Sequence, residues 1–189
     1  MKKLLFALLF FAAVPAEAKL LDTTSSLGPG HLGAAVGAEF ALYAPNPIRL
    51  ELHERVGLVG GLDLYLNQFV GLHRESGLRI GGGLKWTLMS PKKDRPGLAL
   101  WGGGFYQTQR KAAGAAASFM IDAQFGRLTP YAALDMDMWF ESGVDTHFTL
   151  LGGTRIAIVK HVAAFLEAGG GLTGSRRNHF AALGLRLRL

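Results

Sequence analysis

The sequence predicts an all-β chain: an antiparallel transmembrane β-barrel, with ten strands favoured and eight as the alternative. Three observations carry this. First, the chain of 189 residues finishes on Ala182–Leu189, with leucine at 183, 185, 187 and 189 and Gly184, Arg186 and Arg188 between them. One apolar and one polar face at period 2 suits a strand that separates lipid from a lumen. Second, the same alternation recurs in segments separated by turn residues, and a tilted strand needs only about 9–11 residues to cross a bilayer. Third, hydrophobic residues make up 49% of the chain and glycine is abundant at 26. Yet no stretch approaches the run of about 18 apolar residues that a membrane-spanning helix needs.

The N-terminus reads as an export signal. Met1-Lys2-Lys3 is a short positive start, Leu4–Val14 is unbroken apolar, and Ala16 and Ala18 form an A-x-A site. This arrangement predicts a cleavable signal peptide over 1–18. The apolar run is shorter than the ~20 residues of a spanning helix. The chain contains no cysteine, so neither a disulfide nor a lipid-anchored lipoprotein is expected. Residues 19–30 are polar with Gly and Pro, and predict a periplasmic lead-in. Residues 31–189 then form one barrel domain.

The period-2 pattern begins at His31. Leu32, Ala34, Val36, Ala38, Phe40 and Leu42 share one face, and Gly33, Gly37 and Glu39 the other. Ala44-Pro45-Asn46-Pro47 breaks the pattern, because two prolines do not sit in a central ladder. Ile48–Leu52 resumes it, and 58–66 keeps the same phase. Between them a three-residue turn ending near Gly57 is favoured over one long strand. Residues 77–89 place Leu78, Ile80, Leu84, Trp86 and Leu88 outward and Arg79, Lys85 and Thr87 inward. Ser90–Pro96 is a turn. Residues 97–108 form a strand whose facing stays open, since Trp101-Gly-Gly-Gly-Phe105-Tyr106 fits either phase. Residues 114–126 put Phe119, Ile121 and Phe125 outward and Ser118, Asp122 and Gln124 inward, before a turn at Arg127–Pro130.

Further on, 131–141 directs Leu134, Met136, Met138 and Phe140 outward and Asp135, Asp137 and Glu141 inward. Ser142–Val144 turns into 145–158, with His147, Thr149 and Arg155 inward. Lys160-His161 turns into 162–173, with Glu167 inward. Gly174–Arg177 leads to 178–189. The count is ten, or eight if 31–55 stands outside the wall. Both are even, as bacterial barrels require, and both leave the C-terminus periplasmic. Short connections predict no plug and no large extracellular domain.

Together with the terminal Gly184-x-x-Leu187-x-Leu189, these features resemble the small outer-membrane β-barrel class typified by the OmpA transmembrane domain and OmpX-like proteins. The pattern departs from that class in ending on Leu189 instead of an aromatic. The resemblance implies a monomer in the outer membrane of a Gram-negative bacterium, in contact with outer-membrane lipid and lipopolysaccharide. It also implies recognition by barrel-assembly machinery through Gly184, Leu187 and Leu189. It is a resemblance of architecture, and architecture carries function weakly.

A narrow barrel is filled by its own side chains, and an unpaired ion inside it is costly. The inward charges are therefore expected to form an ionic network, including Arg79, Lys85, Asp135, Asp137, Arg155, Glu167 and Arg186. The predicted registers place Arg155 diagonal to Glu167, and Glu167 opposite Gly184 and diagonal to Arg186, giving an Arg–Glu–Arg ladder. The function this suggests is a non-enzymatic, structural or surface-interaction barrel. The alternatives are a lipid A-modifying, deacylase-like enzyme and a narrow channel for small solutes.

No catalytic residue, metal site or cofactor is assigned. Asp135, Asp137, Asp145 and His147 resemble the acid and histidine set of the omptin proteases. They share one hairpin, however, and the predicted register sets His147 opposite Trp139 and Asp135 opposite Leu151. A deacylase would have to use Ser142 with His147, or Ser175 with His179. Basic residues at extracellular connections (Arg74, Arg110, Lys111, Arg176, Arg177) suit lipopolysaccharide phosphates. Nucleic acid is not expected as a partner, because the excess of +6 is spread over rim, turns and lumen. Gly81–Gly83 and Gly102–Gly104 lack the Lys-Ser/Thr of a phosphate loop, and are expected to serve bending or close packing.

Overall fold

The computed structural model describes residues 22–42, 48–72, 77–93, 95–141, 143–173 and 179–189. Among them ten antiparallel strands close into a barrel: β1 (Leu32–Ala41), β2 (Ile48–Gly57), β3 (Leu62–Gly71), β4 (Leu78–Met89), β5 (Gly97–Gln107), β6 (Ala112–Asp122), β7 (Leu128–Phe140), β8 (Val144–Val159), β9 (Val162–Gly171) and β10 (His179–Arg188). Each strand pairs with its sequence neighbours, and β10 pairs with β1 to close the ring. The closure ends with Leu32 and Leu189 exchanging backbone hydrogen bonds. This end is called the terminal mouth, and the opposite end the far mouth. The signal peptide predicted over 1–18 lies outside the described residues.

The alternation decides which side chain faces which way. Leu84, Phe119, Leu134, Leu150, Leu166 and Leu183 are exposed on the outer surface, while Ala35, Met120, Ala133, Leu151, Phe165 and Ala182 are buried inside. The strand left open by sequence, β5, turns Ala99, Trp101 and Phe105 inward and Leu100 and Tyr106 outward. Its glycines explain why the pattern was ambiguous there. Gly83 and Gly103 pair across β4 and β5. A Cβ on Gly83 would stand 2.3 Å from the Gly102 carbonyl oxygen, and one on Gly103 2.2 Å from that of Gly82. The two backbones pass too closely for side chains, so hydropathy carries no signal at those positions.

Four sequence expectations need correction. The β2–β3 turn lies at 58–61, not within 53–57. Leu58 N–H donates to the Leu62 carbonyl at 2.8 Å, and Gly60 and Gly61 take φ of 59° and 81°. The glycine pair supplies the left-handed backbone that the turn needs, which lets His53–Gly57 continue the strand. The β6–β7 turn lies at 125–128, with Gly126 at φ 61°, so Pro130 falls inside β7. It stands just beyond the last β6–β7 pair, Asp122 with Tyr131, where a missing N–H interrupts little.

The β7–β8 pairing sets Asp137 opposite His147 and Asp135 opposite Thr149, a shift of two from the predicted register. In the same way Glu167 stands opposite Ala182, not Gly184. Each shift of two leaves every side chain on its predicted face, because the strand period is two. Facing alone therefore could not fix the register.

Candidate functional site

The terminal half of the lumen is occupied by the chain's own N-terminal segment. Asp22, Thr23, Thr24 and Leu27 are buried inside the barrel. The periplasmic lead-in predicted over 19–30 is thus, over Asp22–Leu27, a plug within the wall, and the expectation of no plug is overturned. Asp22 is its anchor. The Arg55 guanidinium donates to both Asp22 carboxylate oxygens at 2.6 Å. The Lys85 ammonium donates to Asp22 at 2.6 Å, and Arg186 donates to it as well. These cations come from β2, β4 and β10.

The rest of the segment is tied down by its hydroxyls and backbone. Thr24 N–H and Oγ1 donate to the Asp122 carboxylate at 2.9 and 2.8 Å. Thr87 Oγ1 donates to the Thr24 carbonyl at 2.6 Å. Ser26 Oγ and Leu27 N–H donate to Asp63 at 2.9 and 3.2 Å. Lys85 also reaches the carbonyls of Thr23 and Ser25, and Arg188 that of Leu27. An unsatisfied backbone group in this interior would be costly, and the strands supply partners from the wall.

Wall glycines make the room. A Cβ at Gly57 would lie 1.9 Å from the Gly28 carbonyl oxygen, one at Gly97 2.0 Å from Thr24 Oγ1, and one at Gly33 3.2 Å from Leu27. All three are inward positions at the terminal mouth.

The middle of the lumen is packed. Tyr131 Oη donates to Glu167 at 2.5 Å, and its ring meets Phe165 edge-on at 6.2 Å. Met120, Leu151, Phe165 and Phe180 are nearly inaccessible. His53 sits between Glu51 at 3.3 Å and Asn67 at 3.1 Å, and Arg49 pairs with Glu39 at 3.5 Å. Tyr131→Phe removes a donor from a buried carboxylate. It is expected to lower barrel stability by about 1.5–3 kcal/mol, read by urea unfolding in detergent. An unchanged midpoint would show that the bond carries no net stability.

At the far mouth, cations and rings alternate. The Arg79 guanidinium lies 3.5 Å from the centroid of Phe105 and 4.8 Å from that of Trp139. It pairs with Asp137 at 3.2 Å. Arg110 covers Trp139 at 4.8 Å and reaches Glu141 at 3.6 Å. His147 and Asp145 are hydrogen-bonded at 2.8 Å on the exposed rim.

The predicted site residues thus separate into levels. Lys85 and Arg186 meet at Asp22, and Arg79 and Asp137 pair at the far mouth. Asp135 faces inward opposite Ser118 and Thr149. Arg155 lies diagonal to Glu167, as expected, since its direct partner is Phe165. Arg186 stands opposite Ala163, two pairs further along β10 than the ladder required. That register takes it away from Glu167 and toward Asp22.

The observed β7–β8 register brings Asp137 and His147 face to face, which the sequence reading did not foresee. Asp137 is nevertheless engaged by Arg79. Arg110 and Lys111 are exposed at the far mouth, while Arg74, Arg176, Arg177, Ser142 and Ser175 lie outside the described residues. Among the described residues no three His, Cys, Asp or Glu side chains are grouped to hold a metal. Asp22, Tyr131 and Thr24 were missed as lumen residues. One available signal was the hydroxyl run Thr23-Thr24-Ser25-Ser26, next to an acid and facing a basic end of the lumen.

No protein-family model matches the chain, and no curated protein matches it. Among solved structures it is similar to an outer membrane channel from Pseudomonas putida F1. That match has 9% identity and a TM-score of 0.56, over 91% of this chain and 99% of the other. A designed transmembrane β-barrel gives 12% identity and a TM-score of 0.44 over 85% and 97%. The N-terminal barrel domain of Pseudomonas aeruginosa OprF gives 10% and 0.43 over 86% and 99%. The likeness is one of fold: the chain has the architecture of a small outer-membrane β-barrel.

Proposed function

We propose that this protein is a non-enzymatic barrel of the bacterial outer membrane, closed to solute flow, with a structural or surface-interaction role. In this reading a signal peptide over 1–18 directs export, and Gly184, Leu187 and Leu189 present the last strand to the assembly machinery. The terminal mouth then faces the periplasm. The single observation that carries the reading is the filled lumen. The N-terminal segment, the Tyr131–Glu167 level and the Arg79–Trp139 stack follow one another from mouth to mouth. The outer surface is apolar, as lipid contact requires.

Arg110 and Lys111, together with Arg74, Arg176 and Arg177 of the β3–β4 and β9–β10 connecting sequences, are the donors proposed for lipopolysaccharide phosphates. The solved channel of similar fold makes conduction the competing reading, and planar bilayer recording separates the two. The full chain is expected to give no conductance steps above background. Regular, reproducible steps would overturn the closed barrel and favour a narrow channel.

A further inference from the structure

Asp22 is held in the way a ligand is held. It belongs to no strand, yet side chains from three strands converge on its two carboxylate oxygens. The wall carries few acids of its own at this level. Asp63 faces Arg55 Nε at 3.5 Å and is shared with Ser26 and Leu27. Asp122 is taken by Thr24. Without the Asp22 carboxylate, Arg55, Lys85 and Arg186 would share the interior with too few counter-charges. Buried cations left in that state are strongly unfavourable. The wall therefore demands an oxyanion at this point, and two guanidinium groups with one ammonium around two oxygens match a monocarboxylate.

We propose that Arg55, Lys85 and Arg186 form a carboxylate-binding site, with Asp22 as its tethered occupant. A small free monocarboxylate entering from the terminal mouth competes for the same cradle. The space beside Asp22, Arg55 and Arg186 is about 10 Å³, no more than one water needs. A free carboxylate therefore replaces Asp22 and cannot join it. Loss of the anchor releases the segment from the lumen. A short tether gives Asp22 an effective concentration in the millimolar range or above, so a free competitor acts at roughly tens of millimolar. This goes beyond the closed-barrel reading and does not depend on it, because occupancy is measured on the segment and not by ion flow.

The chain has no cysteine, so Ser25→Cys places a single thiol in the segment, at a half-buried position whose hydroxyl makes none of the contacts above. The full chain carrying Ser25→Cys is folded in detergent and labelled with a bulky maleimide. Sodium formate is expected to accelerate labelling several-fold and to saturate, while sodium chloride at equal ionic strength does not. Asp22→Asn in the same chain is expected to raise the rate in chloride by roughly a hundredfold or more, up to the rate of the fully released segment. Equal rates in formate and chloride would overturn the site. So would slow labelling of the folded Asp22→Asn chain. If that variant does not fold, the formate titration on the Asp22-containing chain decides alone.

Discussion

Asp22→Asn is expected to destabilise the folded barrel by about 3–5 kcal/mol, the cost of leaving buried charges without their partner. The side chain keeps its shape, loses its charge and turns one acceptor oxygen into an amide donor facing the cations, so packing does not account for the loss. Arg55, Lys85 and Arg186 would remain in place, held by strands that cannot withdraw them. Urea unfolding in detergent, followed by tryptophan fluorescence, reads the shift. The electrostatic origin is tested by a second change. Lys85→Met alone removes a cation that Asp22, Thr23 and Ser25 all engage, and is itself destabilising. Combined with Asp22→Asn it relieves part of the excess positive charge, so the double variant is expected to lose less than the two single losses added. Strict additivity would show that Asp22 and Lys85 do not act on each other, and would remove Asp22 from the role of anchor.

That anchor was invisible in the sequence for a physical reason. Inward and outward faces follow from hydropathy at period 2, and Leu134, Asp135, Met136 and Asp137 fall where that pattern puts them. Strand number follows from turn residues, although Leu58–Gly61 and Phe125–Leu128 show turns displaced by a few positions. Register is a weaker signal, because a slip of two keeps all faces. The ladder expected between Glu167 and Arg186 failed on such a slip at β9–β10. The plug is weaker still. Asp22–Leu27 has no alternation, being neither strand nor helix, and polar residues near glycine and proline read as a solvated lead-in. Its position is fixed by long-range contacts, such as those from Asp22 to Arg186 and from Thr24 to Asp122. The complementary signal was in the wall. Gly33, Gly57 and Gly97 are inward glycines at one mouth, where a narrow barrel would otherwise place a filling side chain.

Those glycines give the test of shape that Asp22 gives of charge. Gly57→Ala is expected to exclude the segment from the lumen while the barrel itself still closes. The added methyl would stand 1.9 Å from the Gly28 carbonyl oxygen and 2.7 Å from its carbon. Both are backbone atoms, so no side-chain rotation relieves the clash. The wall is pinned there, since Gly57 N–H donates to the His31 carbonyl at 2.9 Å. Overpacking of this kind costs about 1–3 kcal/mol, and the segment is the part least bound to the β ladder. It therefore moves, and Asp22 moves with it.

Gly57→Ala should then raise Ser25→Cys labelling just as Asp22→Asn does, although no charge has changed. Once either substitution has removed the segment, the other has little left to remove. The stability loss of the double variant should fall well short of the sum. Gly60→Ala is the control for backbone strain. Its φ is 59°, but a Cβ there meets nothing within 4 Å. It should cost about 1–2 kcal/mol of left-handed strain and leave the labelling rate unchanged. A Gly57→Ala chain that melts lower yet labels as slowly as its parent would mean that the wall yields and the segment does not, and the glycines would then have no part in seating it.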